Sequence, residues 1–202
     1  MSVEPLGIDG AWLCTPQLHS DPRGLFLEWF RSDVLATATE REFDVVQANH
    51  SVSGKGVVRG VHYADVPPGQ AKYVTVPVGA ALDIVVDLRM GSPTFGKSEM
   101  IVLDDERRQG VFLAEGLGHA FCALQDDTAV TYLVSAVYSP QHEHAVSPND
   151  PDLALPWNEY VETPIVSDRD LAAPSVAEAA AAGALPSYSA CLERYSAVAL
   201  PR

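Results

Sequence analysis

An all-β sandwich or barrel with a short helical tail is the architecture this sequence predicts, and three features predict it. Short runs rich in Val, Ile, Phe and Tyr fill the first two-thirds of the chain. Turn signals separate them at regular spacing. The last third changes to a loop rich in Pro, His and Asp, then to capped, alanine-rich sequence.

The expected strands are 25–30, 44–49, 57–63, 73–78, 81–88, 110–113 and 129–138. Ser53-Gly54-Lys55-Gly56, Pro67-Pro68-Gly69, Gly91-Ser92-Pro93 and Asp104-Asp105 mark turns between them. In the first strand Phe26, Glu28 and Phe30 share one face, and Leu25, Leu27 and Trp29 the other. Apolar residues on both faces predict cover on both sides, and a second subunit is one candidate for it. Residues 139–156 read as loop. Ser175 and Glu178 have the spacing of a capping box, and Gly183 is a helix stop before Pro186. The alanine tract between them could be linker, but cap and stop favour a helix. Residues 187–198 suit a second one.

A length of 202 residues predicts a single domain over 1–202, with its core at about 20–140 and a loop and helices from about 141. Lys and Arg number 13 against 27 Asp and Glu, a net charge of −14 that argues against nucleic acid or an anionic membrane as partner. No apolar run approaches the roughly 20 residues that span a bilayer. The first ten residues lack the pattern of a signal peptide. Cys14, Cys122 and Cys191 are odd in number and show no metal spacing, so reduced thiols in a cytoplasmic protein are expected.

The densest polar cluster is Arg59-Gly60-Val61-His62-Tyr63, followed by Lys72. Arg59 and Lys72 are suited to phosphates or an oxyanion, and His62 to general-base work near neutral pH. Any one alone is better read as a solvent-facing charge; the set outlines a pocket. Arg59 and His62 have opposite parity, so a regular strand would separate them. A bulge, which Gly60 permits, would reunite them. Gln47, Asn49 and Ser51 share one parity, which makes either a wet outer face or the wall of a pocket. Tyr132 and Tyr138 also share parity, as core aromatics or as a cavity lining. His119 lies in the glycine-flanked Gly116-Leu-Gly-His-Ala-Phe121. Asp168 and Asp170 bracket Arg169, as a solvated acidic turn or as a carboxylate that orients a histidine. The ligand pattern of metal-dependent β-barrel enzymes is absent: His62 is followed by Tyr63 and Ala64, and His142 and His144 stand in a loop without evident partners. No metal is expected. Dinucleotide, P-loop, serine-hydrolase and kinase signatures are absent too.

Taken in order, Asp21-Pro-Arg-Gly24 with Glu28, Gln47-x-Asn49-x-Ser51, Gly56-Val-Val-Arg-Gly-Val-His-Tyr63, Pro67-Pro-Gly-Gln-Ala-Lys72, Asp87-Leu-Arg-x-Gly-Ser-Pro-Thr-Phe95, Tyr132, Tyr138, Asn149-Asp-Pro151 and Ser167-Asp-Arg-Asp170 form a pattern. Over nearly the whole chain it resembles the dTDP-4-dehydrorhamnose 3,5-epimerase family of cupin-like jelly rolls. The resemblance implies a homodimer that exchanges an N-terminal strand, needs no metal or cofactor, and acts on a dTDP-4-keto-6-deoxyhexose. It implies His62 as base, Asp170 as its orienting carboxylate, Lys72 on the enolate oxygen and Tyr132 as the acid of the opposite face. It implies Arg59 on the pyrophosphate, and Arg23, Phe26 and Glu28 as nucleotide contacts donated across the dimer. Gln47, Asn49, His119, Tyr138 and Glu143 match further pocket positions.

The chain departs from the family pattern at Ala120, at Ala64-Asp65 and at Ala145. Those departures resemble the branch that serves deoxysugars of antibiotics, which includes enzymes inverting carbon 3 or carbon 5 alone. A ketoisomerase of sugar nucleotides is a second reading, and a cupin that binds without catalysis a third. A base and an acid on opposite sides favour epimerisation.

Overall fold

The computed structural model describes residues 1–200. Its strands are β1 (Ser2–Pro5), β2 (Ala11–Thr15), β3 (Leu18–Asp21), β4 (Gly24–Leu27), β5 (Gln47–Ser53), β6 (Val57–Ala64), β7 (Lys72–Val78), β8 (Ala80–Asp87), β9 (Ser98–Asp104), β10 (Gly110–Leu113), β11 (Leu117–Ala123), β12 (Thr128–Val134), β13 (Glu143–Ala145) and β14 (Ile165–Val166). The helices are α1 (Ser32–Thr39), α2 (Trp157–Tyr160), α3 (Asp168–Leu171), α4 (Val176–Ala181) and α5 (Tyr188–Ala197).

Two sheets face each other. The first runs β1-β2-β10-β7-β12-β5 and the second β13-β6-β11-β8-β9, with β14 parallel to β6. From β5 to β13 successive strands alternate between the sheets, the β8–β9 hairpin excepted, which is jelly-roll wiring. The architecture is the expected cupin-like all-β fold with a helical tail. β1 and β2 at one end, and β13 and β14 at the other, carry the sheets beyond residues 20–140.

Three apolar layers hold it. Val74, Val76, Val111 and Val130 of the first sheet meet Ala81, Val85, Leu103 and Phe121 of the second in the interior. Leu82, Ile84 and Val86 on the outer face of the second sheet pack against Trp157, Val176 and Ala179. Tyr73, Phe112 and Leu133 on the outer face of the first pack against Leu35 of α1 and Phe43. β8 serves two of these layers and is buried along its whole length. The capping box forms as expected: Ser175 Oγ accepts from Glu178 N, and Glu178 Oε2 accepts from Ser175 N at 2.8 Å. α5 takes Ser187 as its cap.

Several elements differ from expectation. β5 starts at Gln47 rather than 44 and runs on through Ser53. β12 stops at Val134, so Tyr138 lies beyond it. Residues 25–30 are not one strand: β3 and β4 form a separate hairpin, and α1 follows. β9 and β11 carried too little β-branched sequence to announce themselves. The glycine-rich segment around His119 is a strand with all seven residues buried. Gly118 belongs there because a Cβ would come within 2.8 Å of Leu88.

The opposite parity of Arg59 and His62 has a local answer. On β11, Phe121 pairs with Arg59 and His119 with His62, so β6 advances one residue more than its partner. That bulge restores a common direction to both side chains. Gly60 takes the extra step at φ +120, and a Cβ there would lie 2.6 Å from both Ala120 Cβ and the His119 carbonyl. Gly60→Ala should therefore destabilise the fold by about 3 kcal/mol in denaturant unfolding. A loss below about 1 kcal/mol would mean the strand absorbs the methyl group without cost.

Candidate active site

The inter-sheet space is filled unevenly. On β7, Val74 and Val76 enter the apolar layer while Lys72, of the same parity, lines a cavity of about 270 Å³. On β12, Val130 is core and Tyr132 lines the cavity; on β11, Leu117 is core and His119 lines it. The same alternation along each strand thus builds core at one end and a polar pocket at the other.

Ten of the residues singled out in the sequence meet there: Gln47, Asn49, Ser51, Arg59, His62, Lys72, His119, Tyr132, Tyr138 and Glu143. Tyr138 reaches the cavity from a loop, where its backbone N–H donates to Gln47 Oε1 at 2.9 Å. Gln47 in turn donates to Asn49 Oδ1 at 2.7 Å. Arg59 Nε donates to Ser53 Oγ at 3.2 Å. Arg23, Phe26 and Glu28 do not join them within one chain. Arg23 and Phe26 sit on the exposed β3–β4 hairpin, where Arg23 pairs with Asp21, and Glu28 pairs with Arg31.

Asp170 lies behind His62, buried, with its Oδ1 2.9 Å from His62 Nε2. Ser167 caps α3 and accepts from Asp170 N at 3.1 Å, which fixes the carboxylate's position. Burial alone would raise the Asp170 pKa; hydrogen bonding to His62 and its charge outweigh that and hold it below the usual carboxylate range. When Nε2–H donates to Asp170, the other ring nitrogen is left with the lone pair of a base. Across the cavity, burial pushes the Lys72 ammonium down, opposed by Glu143. Burial also raises the Tyr132 phenol, and Glu143 adds to the effect while Arg59 works against it. Tyr132 is thereby kept protonated, as a donor.

Sequence reading missed several neighbours. Asp83 is fully buried in β8 and holds His119 at 2.7 Å through its Oδ2. A lone carboxylate inside the apolar 81–86 stretch was the available signal. Gln70 and Phe121 also line the cavity, and the Oγ of Ser51, which the sequence had singled out, is buried there without a hydrogen-bond partner among the described residues. Arg169 lines an adjoining cleft with Arg59, His62 and Asp170. His142 and His144 meet Asp65, and among the described residues no group of three or more His, Cys, Asp and Glu is placed to hold a metal ion. The three thiols are buried and unpaired; burial raises Cys14 to about 12 and Cys122 and Cys191 to about 11, far from thiolate chemistry. The 87–95 motif is a fastener, in which Asp87 accepts from buried Arg89 and from Ser92 and Thr94.

The sequence profile of the dTDP-4-dehydrorhamnose 3,5-epimerase family matches residues 5–178. The chain belongs to this family. It is an isomerase, as the family's members are. It is 53% identical over 191 residues to a dTDP-4-dehydrorhamnose 3,5-epimerase of Mycolicibacterium smegmatis, covering 95% of this chain and 94% of that one. NovW, a 4-keto-6-deoxy sugar epimerase from the novobiocin cluster of Streptomyces spheroides, superposes with a TM-score of 0.92 at 52% identity over 95% of each chain. ChmJ, a 3'-monoepimerase of Streptomyces bikiniensis solved with dTDP-quinovose, does so with a TM-score of 0.93 at 48% identity, over 96% of this chain and 98% of that one. These epimerases share the jelly roll found here, so the family resemblance and the fold agree.

The depressed Asp170 pKa has a consequence for stability. Its ionised form adds stability that is complete above the ordinary value of 3.8 and is lost as pH falls through the lowered folded value. Wild type should exceed Asp170→Asn in unfolding free energy at pH 7, and the gap should narrow as pH falls below about 4. A gap unchanged over that range would show that the charge contributes nothing to folding.

Proposed function

We propose that this chain inverts carbon 3, carbon 5 or both of a dTDP-4-keto-6-deoxyhexose. One observation carries the reading: the His62–Asp170 pair stands on the second sheet, and Lys72 and Tyr132 face it from the first, across a single cavity. The 4-keto group acidifies the C–H bonds on either side of it. His62 takes such a proton, and the bonding pair moves onto the carbonyl oxygen as an enolate. Lys72 stabilises that oxyanion in a partly dehydrated site. Tyr132 returns a proton to the opposite face of the carbon; its phenolate then recovers one from solvent, and the His62 imidazolium gives one up to solvent. Base, oxyanion stabiliser and acid are all side chains, so the reaction needs no cofactor.

Arg59 suits the pyrophosphate. Gln47, Asn49, His119, Tyr138 and Glu143 form the remaining wall, and the unpaired Ser51 hydroxyl is one more group for a ligand to satisfy. The hairpin supports a homodimer. It pairs with neither sheet, and Leu18, Leu25 and Phe26 on it are exposed, Phe26 to 68%. Such a ribbon is poorly stable in water alone. Docked on a partner it would carry Arg23 and Phe26, with Glu28 just behind, to the partner's nucleotide. Three reduced, buried thiols fit a cytoplasmic enzyme.

Proton NMR of dTDP-4-keto-6-deoxyglucose with the enzyme in heavy water tests the chemistry. Deuterium at carbons 3 and 5 is the signature of a double epimerase, and deuterium at one of them that of a monoepimerase. Tyr132→Phe should lower inversion about a hundredfold or more while exchange falls much less. No exchange by a folded protein that still binds dTDP would overturn the reading. Sedimentation equilibrium should give twice the 21.7 kDa chain mass, and a monomer would remove the case for an exchanged hairpin.

A further inference from the structure

β13 is three residues long and pairs with the edge of β6, Glu143 opposite Ala64 and His144 opposite Tyr63. Alternation sends Glu143 into the cavity and His144 outward. Outside, His144 Nε2 lies 2.8 Å from Asp65 Oδ1, and His142 Nδ1 lies 3.2 Å from Asp65 Oδ2. Main-chain bonds close the arrangement. Asp65 N donates to the His142 carbonyl at 2.9 Å, and Gly69 N donates to the Asp65 carbonyl at 2.8 Å. That turn delivers Gln70, whose Nε2 donates to Glu143 Oε1 at 3.3 Å and to the Ala136 carbonyl at 3.1 Å. The Tyr63 ring packs against the His144 ring at 5.4 Å between centroids.

We propose that Asp65 is a positioning residue: by bridging His142 and His144 it fixes the short edge strand that presents Glu143 to the substrate. The inference rests on the epimerase reading of the cavity. A single exposed ion pair would do little. A carboxylate shared by two imidazoles, with the main chain tied on both sides, restricts where Glu143 can stand. The Glu143 charge is felt at both Lys72 and Tyr132, so a displaced Glu143 disturbs the oxyanion stabiliser and the acid together.

A double-mutant cycle on kcat/KM with Asp65→Ala, Glu143→Gln and the combined variant is the test. Asp65→Ala should lower kcat/KM about fivefold in the wild type and less than about twofold in the Glu143→Gln background. Asp65→Asn, which can still hydrogen-bond both rings, should keep most of the activity. Equal losses in both backgrounds, or no loss in either, would overturn the proposal, whatever happens to Tm. Should Asp65→Ala fail to fold, His142→Ala/His144→Ala removes the same bridge from the other side and must show the same coupling. A wild type without epimerase activity would overturn the reading of the cavity itself. An active wild type with additive losses would overturn the bridge alone.

Discussion

The site depends on one broken register. Between β6 and β11 the ladder slips by a residue at Gly60, and only that slip lets Arg59 and His62 face the same space. In a regular strand one of them would point into the outer apolar layer beside Val58 and Val61, where an unpaired charge is expensive. The slip needs a residue without a side chain, because β11 runs against the backbone there. It also sets His62 beside α3, whose capped first turn brings Asp170 within reach. The common placement of Arg59, His62 and Asp170, on which the proposed roles of base, orienting carboxylate and phosphate ligand rest, therefore follows from a single backbone irregularity.

The second condition is a sandwich whose interior is only half apolar. The strands do not change character along their length; their inward positions do. Lys72 and Tyr132 continue the rows begun by Val76 and Val130, so the polar groups are held by the same ladders that order the core. Burial then tunes them in opposite senses, easing proton loss from Lys72 and opposing it at Tyr132. Glu143 acts on both in one direction, since a nearby negative charge disfavours loss of either proton. In the proposed reaction an ammonium for an oxyanion and a phenol for a carbanionic centre both require the protonated form, which gives the placement of Glu143 its importance there.

Much of this was legible in the sequence, and the failures have physical causes. β6, β7, β8 and β10 were readable because their β-branched runs end at turn residues. Gln47, Asn49 and Ser51 were readable as one face by parity alone, and structure decided between wet surface and pocket wall. β11 was hidden because a strand buried on both faces can be made of Gly, Ala and His when its neighbours press close. Parity with Tyr132 left Tyr138 open between core and cavity, and the family resemblance matched it to the pocket; that parity is lost when β12 ends, and the hydrogen bond to Gln47 places Tyr138 instead. Asp83 escaped because a single carboxylate in an apolar run has no local pattern, and its meaning appears only when His119 comes to lie beside it on the adjacent strand.

On the proposed reading, one set of groups suits either carbon without change. Both acidic C–H bonds flank one carbonyl, so the enolate from either places its charge on the same oxygen. Lys72 is thus a fixed point, and His62 and Tyr132 are fixed on opposite walls. In the proposed reaction, which carbon stands between the walls follows from how the ring turns about that oxygen, and hence from the groups that meet the ring's edge, for which Tyr138, Glu143 and His119 with its buried Asp83 are the candidates. None of these needs to take part in proton transfer to change the outcome. On that reading, selectivity belongs to a loop residue, an edge-strand residue and a buried histidine–carboxylate pair, while the proton transfers belong to groups facing each other from the two sheets.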